Sequence, residues 1–234
     1  MGALLVLDAG RALFVSELEA LTPHQAAADA LLVGLEGPFT IERDGQRETT
    51  ELCVVPARTE HALDFHGRRM ACLYFEPGTR APQRLDLAGL RARLDTVMRD
   101  AREATWSALL DETGFERCGP VDARAAQVAR ALARSPDENV PAELLAEQVG
   151  LSSSRLEHLF TRSYGVPLRA WRGWWRMRMA AEQLLDGRTL TEAAHAAGFH
   201  DSAHFSNTFR QTFGLPPSLV FGRELEGRLI GSLT

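Results

Sequence analysis

The sequence predicts an α+β chain in two parts. A small β-barrel occupies about residues 1–80, with helices over about 87–113 following it. An all-α region of two helix-turn-helix units joined by a long helix makes up the rest. Three observations predict this. Short apolar runs broken by turn residues fill the first third of the chain. The apolar pattern changes to a 3.6-residue period near Leu87. A stretch beginning near Leu144 is then repeated about 49 residues later, and such a period sets the architecture of everything around it.

The strand region has apolar runs at 4–7, 13–15, 30–33, 39–41, 52–55 and 72–75. Asp44-Gly45 is a strong hairpin signal between two of them, since a tight two-residue turn needs positive φ at both positions. Short strands at this spacing suggest a small barrel or sandwich. Pro77-Gly78 and Pro82 close the region. Beyond it Leu87, Leu90, Leu94, Val97 and Met98 share one helical face, followed by Trp106, Leu109 and Leu110, so one or two amphipathic helices end near Gly114. Their apolar stripe either packs on the barrel or pairs with a second copy. Cys118-Gly119-Pro120 is read as a hinge, dividing the chain into 1–117 and 118–234.

The remainder is helical. Asp122 caps a helix through Arg134, and Ser135-Pro136-Asp137 breaks it. Pro141 suits the first turn of a helix through Gln148. Gly150 makes a turn, Ser152 caps the helix over 153–163, and Gly165 ends it. Pro167 starts a long helix to about Asp186, stopped by Gly187. Thr191 is expected to cap the next short helix, Gly198 makes the second turn, and Asp201 caps a helix to Phe213. Gly214 and Pro216-Pro217 end that helix, leaving a short final helix and tail.

The repeat implies chemistry. Ala146 and Gly150 recur as Ala194 and Gly198, and Leu156, Phe160, Gly165 and Pro167 as Phe205, Phe209, Gly214 and Pro216. In a helix-turn-helix the second helix crosses close above the first, which needs a small residue there and a turn residue that tolerates positive φ. The face of each second helix left free carries Ser153, Ser154, Glu157 and His158 in the first copy and Ser202, Ala203, His204 and Asn207 in the second. Most are short polar groups able to reach base edges, so double-stranded DNA is the first partner to consider. The joining helix of about 20 residues spans roughly 30 Å. Successive major-groove segments on one face of a duplex lie about 34 Å apart. Arg155, Arg162, Arg169, Arg172, Arg176 and Arg210 are the candidate phosphate contacts, and Arg178 also lies on the joining helix. Trp171, Trp174 and Trp175 are read as core wedges between the two units.

The net charge of −5 would argue against nucleic acid if it were evenly spread. It is not. Residues 1–120 hold 13 arginines against 19 acids, residues 121–234 hold 13 against 12, and 155–178 hold six arginines with Glu157 as the one acid. There is no lysine, so every fixed side-chain cation is a guanidinium suited to bidentate contact with phosphate or guanine. No run approaches the ~20 apolar residues of a membrane span, and the N-terminus carries Asp8 and Arg11 where a signal peptide would be apolar. Cys53, Cys72 and Cys118 are far apart and form no Cys-x-x-Cys, so neither a disulfide framework nor a thiolate metal site is indicated. A reducing cytoplasm is the expected compartment.

On these residues the region from about Val121 to Phe221 resembles the DNA-binding region of the AraC/XylS family of transcription regulators. The most specific part is Ala194-x-x-x-Gly198-Phe199 with His204-Phe205-Ser206, Phe209-Arg210, Phe213-Gly214 and Pro217. The resemblance implies promoter binding through both units, a homodimer, and RNA polymerase as a candidate partner. It aligns Ser154, Glu157 and His158, and Ser202, Ala203, His204 and Asn207, with base-contacting positions. Two departures stand out: Asn207 replaces a usual arginine, and the tail after Ser218 lacks the usual aromatic-arginine ending. The N-terminal strands resemble the cupin-like sensor barrel that many such regulators carry, which implies a small-molecule effector. His24, Glu60 and His61 are the candidate pocket residues. With no His-x-His pair, neither a metal nor another cofactor is expected.

Other readings stay open at this point. The barrel and the 87–113 helices could serve only for dimerisation, without a ligand. The chain could be a cupin enzyme with a regulatory tail, which lacks a ligand cluster. A DNA-repair methyl acceptor would need a reactive cysteine, whereas Cys53 and Cys72 lie in apolar runs. A regulator with no enzymatic activity is the expectation.

Overall fold

The apolar runs at the start of the chain form strands that are buried on both faces, which is why they read as continuous rather than alternating. In the computed structural model, residues 2–8, 10–82, 84–117, 119–222 and 225–230 are described; Cys118 of the expected hinge lies outside them. The elements are β1 (Leu4–Asp8), β2 (Arg11–His24), β3 (Ala30–Gly34), β4 (Phe39–Arg43), β5 (Gln46–Thr50), β6 (Leu52–Val55), β7 (His61–Tyr74), β8 (Thr79–Arg80), α1 (Leu87–Arg99), α2 (Glu103–Thr113), β9 (Glu116–Arg117), α3 (Ala123–Arg134), α4 (Ala142–Gln148), α5 (Ser153–Tyr164), α6 (Leu168–Leu185), α7 (Leu190–Ala196), α8 (Ser202–Phe213), α9 (Pro217–Val220) and β10 (Glu226–Leu229).

The α+β division is as the sequence predicts. Among the described residues one eight-stranded sheet runs in the order β10-β1-β2-β7-β3-β6, with β4 pairing both β7 and β5. The β4–β5 hairpin turns at Asp44 (φ 51°) and Gly45 (φ 72°), the positive angles its two-residue turn requires. Two features were not legible in sequence. β2 and β7 are each 14 residues long and pair antiparallel along most of their length, although the outer half of β2 is largely exposed and that of β7 alternates buried His61, Leu63 and Phe65 with half-buried residues before exposed His66–Arg68. Register shifts in β2 between Leu18 and Ala20 and between Leu21 and His24 mark where this pair departs from a regular ladder.

Alternation sorts the sheet's side chains into two cores. One face (Leu4, Val6, Leu13, Val15, Leu31, Leu73) lies under α1 and α2, whose Leu90, Leu94, Val97, Trp106 and Leu109 are all buried. The 87–113 stripe therefore packs on the sheet of its own chain, and a homodimer would need some other surface. Asp86 caps α1 by accepting from Ala88 N–H, and the Trp106 indole donates to Asp8 at 2.8 Å.

The other face (Leu5, Leu7, Phe14, Leu32, Met70, Tyr74) is continuous with the core of the helical region. Trp174 donates to the Gly10 carbonyl and Arg178 to that of Asp8, so α6 lies directly against the β1–β2 turn. Thr22 donates through both N–H and hydroxyl to the Gly214 carbonyl, and Gln25 N–H to that of Gln211, tying the end of β2 to the end of α8. The tail also returns: β10 pairs parallel with β1. The expected C-terminal part, 118–234, thus contributes its last described strand to the N-terminal sheet. Only Leu229 there is a large apolar residue and all four residues are exposed, so nothing in the local sequence marks it as a strand.

Candidate nucleic-acid interface

The two halves of the repeat fold alike to within a tenth of an ångström in their turn hydrogen bonds. Leu151 N–H donates to Ala146 O at 2.9 Å, and Phe199 N–H to Ala194 O at 2.9 Å. Gly150 (φ 67°) and Gly198 (φ 75°) take the left-handed conformation the turn needs. Ala146 and Ala194 are 1% and 0% exposed, so a larger side chain at either would push the second helix off the first. Leu156 and Phe160 in α5, and Phe205 and Phe209 in α8, face inward.

Both second helices are capped as expected. Ser152 accepts from Arg155 N–H, and Asp201 accepts from His204 N–H at 2.7 Å. The His204 amide and then the His200 side chain hold the Asp201 carboxyl below its ordinary range. Gly165 and Gly214 end the helices in the left-handed conformation. One cap differs from expectation. Thr189, not Thr191, begins α7, because Glu192 stands three residues on and returns to the Thr189 N–H, closing a capping box.

The outward faces are polar. In α5, Ser154, Arg155, Glu157, His158 and Arg162 are exposed and Ser153 is half-buried. In α8, Ala203, His204, Asn207 and Arg210 are exposed and Ser202 is half-buried. The connector α6 has 18 residues, which corresponds to about 27 Å of rise.

The arginines divide. Arg155, Arg162, Arg169 and Arg210 are exposed, and among the described residues none of the four enters an ion pair. Arg172 and Arg176 are half-buried and turn toward the loop between α3 and α4. Arg178, expected near phosphate, is 6% exposed and is held by the Asp8 carbonyl and Glu182, because its position on α6 faces the sheet. The tryptophans are core. Trp171 packs on Phe160 and Tyr164 of the first unit, whereas Trp174 contacts Tyr74 and Phe213 at the joint with the sheet rather than wedging between units.

None of the candidate pocket residues His24, Glu60 and His61 lines the cavity found between sheet and helices. Glu60 is exposed. His24 and His61 are a cross-strand pair, 3% and 4% exposed, with ring centroids 4.2 Å apart. Each ring's Nδ1 lies within hydrogen-bond distance of a carbonyl, Thr22 O at 2.8 Å and Thr59 O at 2.9 Å. That cavity has a volume of about 70 Å³ and is partly open to solvent. Leu5, Phe14 and Met70 line it from the sheet, Met177 from α6, and Phe209 and Phe213 from α8, with Arg11 and Arg178 also in its wall. Sequence reasoning missed it because its wall is assembled from six separate elements, β1, β2, β7, α6, α8 and α9.

Among the described residues no group of three or more His, Cys, Asp or Glu could hold a metal, and no helix is long and apolar enough to cross a membrane. Burial pushes the Cys53 thiol up and the Cys72 thiol up to about 12, the reverse of what a nucleophilic cysteine needs.

Comparison with known proteins agrees with this geometry. A family described as a helix-turn-helix domain matches residues 145–223. The regulatory protein Ada of Salmonella typhimurium is 36% identical over 114 residues, covering 44% of this chain and 32% of that protein. The arabinose operon regulatory protein of Escherichia coli is 34% identical over 83 residues, covering 35% of this chain and 28% of that protein. The chain thus spans about a third or less of the length of these relatives. Among solved structures, ToxT from Vibrio cholerae superposes with a TM-score of 0.58 at 13% identity, over 89% of this chain and 96% of that one. At that identity the likeness is one of fold, and it extends across both the sheet and the helices. Taken with the duplicated turn, these matches show a helix-turn-helix domain over residues 145–223 that is similar in sequence to those of Ada and the arabinose operon regulatory protein.

Proposed function

We propose that this protein is a sequence-specific DNA-binding regulator of transcription whose grip on DNA answers to an apolar small molecule. The observation that carries the reading is the pair of matching recognition helices, each capped, each exposing a polar face, joined by one continuous helix of suitable length. N-terminal residues of such helices meet base edges in the major groove. Ser153, Ser154, Glu157 and His158 would read one segment, and Ser202, Ala203, His204 and Asn207 the next. Arg155, Arg162, Arg169 and Arg210 supply the phosphate contacts that fix register. Residues 1–117 form the sensing part, and the reading part begins at 118. A regulator of this kind works on the chromosome, in the cytoplasm, beside RNA polymerase.

Footprinting of the full chain on genomic fragments at low salt tests this, and absence of any protected segment would sink it. On a protected fragment, Glu157→Ala and His204→Ala should relax base preference by about 1–3 kcal/mol at the position each reads. Arg155→Gln and Arg162→Gln should weaken all sequences alike and lower the log–log salt slope by about 0.9 each. Base preference surviving both of the former changes would mean these faces do not read sequence.

The effector's seat, in this reading, is the cavity between sheet and helices, with His24, Glu60 and His61 outside its lining. ToxT has been solved bound to an unsaturated fatty acid, and an apolar wall with arginines in it suits that class of ligand here as well. Phe209 and Phe213 of α8 line the cavity while no residue of α5 does. Occupancy therefore acts first on the second reading head, provided the ligand binds the two poses of α8 unequally. A ligand at about 100 times its dissociation constant adds about 2.7 kcal/mol, hence a rise of roughly 5–10 °C in Tm for a chain of this size. An unsaturated C18 fatty acid should produce it, and Met177→Trp, which fills the cavity, should abolish it. A shift that survives Met177→Trp would place the ligand elsewhere.

A further inference from the structure

We propose that Arg172 and Arg176 set the pose of the second helix-turn-helix unit relative to the first by clamping the loop between α3 and α4, rather than contacting phosphate. The DNA-reading function enters only in what that pose is used for; the clamp itself is a property of the free chain.

Arg172 donates through Nη1 to the Asn139 side-chain oxygen at 3.3 Å and through Nη2 to the Val140 carbonyl at 2.5 Å. One helical turn further along α6, Arg176 donates through Nε to the Pro136 carbonyl at 2.8 Å. All three acceptors belong to the five residues 136–140, which lead into α4, the first helix of the first unit. The same loop also backs the second unit. A Cβ built at Gly198 would lie 2.6 Å from the Asp137 carbonyl oxygen and 2.9 Å from its Cα, so the second turn rests on the loop's backbone. At Gly150, the corresponding turn of the first unit, nothing lies within 4 Å. The two turns are alike internally and differ in what supports them.

The side chains are committed to this role. Arg172 Nε is buried with no hydrogen-bond partner, which does not suit a guanidinium that presents its fork to a duplex. Swinging either arginine outward would orphan the loop carbonyls. α6, the loop and the second turn therefore form one chain of contacts running from the connector into both reading heads. Their tolerance for the spacing of two DNA boxes is set there.

Hydrogen exchange on the DNA-free full chain tests the clamp, using Arg172→Lys with Arg176→Lys, which keeps both charges but loses the planar fork. Amides of 137–140 and 197–200 should exchange at least about tenfold faster, while those of α5 stay within about twofold of the original. A DNA-free variant that exchanges like the original overturns the proposal. The second arm uses DNA selected from a random library by the original chain, with one or two base pairs added between its two boxes. The Lys variant should lose at least about threefold of the spacing preference. For Arg172→Gln with Arg176→Gln, a salt slope lower by about 0.9 per arginine with spacing preference intact would identify phosphate contacts and also overturn it. Should the original chain select no DNA, the regulator reading fails while the exchange result still decides the clamp.

Discussion

Gly198→Ala will cost more stability than Gly150→Ala, although the two glycines hold equivalent places in the repeat. Both have positive φ, 75° and 67°, and a residue with a Cβ in that conformation loses about 1–2 kcal/mol. At Gly150 the added methyl enters open space, so the loss should end there. At Gly198 the methyl would press on Asp137 backbone, which cannot rotate away as a flexible side chain would. Either the loop or the turn must shift, and forced overpacking of this kind adds about 1–3 kcal/mol. The expected totals are about 1–2 kcal/mol for the first unit and about 2–5 kcal/mol for the second. Urea unfolding with a shared m-value measures both. Equal losses would show that the α3–α4 loop yields freely and does not support the second turn.

Acid will destabilise the protein through the His24–His61 pair. Burial, then the neighbouring His61, lowers the His24 pKa from 6.5 to about 4, against a smaller opposing effect of the Thr22 carbonyl. Burial also lowers that of His61, with the Thr59 carbonyl opposing and Arg43 adding to the shift. Both rings are thus neutral in the fold and charge more readily once unfolded. The stability they contribute is fully present above about pH 6.5 and is lost as pH falls toward 4, because the unfolded chain then binds protons that the folded chain refuses. For His24 alone the drop corresponds to about 3 kcal/mol. The consequence reaches the reading heads, since a Cβ at Gly214, the C-cap of α8, would lie 2.6 Å from His24 Nδ1. Denaturant unfolding at a series of pH values should show His24→Gln with a flatter profile between pH 6.5 and 4 than the original chain. Parallel profiles would assign the acid sensitivity to carboxylates instead.

The residues that sequence reasoning selected on α5 and α8 lie on outward faces because helix periodicity is a local property. Once Leu156, Phe160, Phe205 and Phe209 turn inward, Glu157, His158, His204 and Asn207 are left outside. Caps and turns were legible for the same reason. Asp122, Ser152, Asp201, Gly165 and Gly214 act through bonds to amides and carbonyls a few residues away. The one misplaced cap, Thr191 for Thr189, came from overlooking Glu192 three residues later. The tail strand gave no such signal, since β10 exists only because β1 offers it an edge.

Side-chain partners across the chain followed different rules. Arg169, Arg172, Arg176 and Arg178 look equivalent in sequence, yet one is exposed, two are turned to the 136–140 loop and one is buried against Asp8 and Glu182. Their chemistry is identical, and the element opposite each one differs. Likewise His24 and His61, 37 residues apart in sequence, become a buried pair only through the β2–β7 register.

Sequence by itself determined the α+β division, the duplicated turn and the polar faces, all products of spacing along a few helical turns or a hairpin. Tertiary structure alone decided where the cavity opens, which arginines stay free and how the second unit is braced. Those depend on surfaces meeting across 32 to 170 residues of chain, where no local periodicity can record the partner.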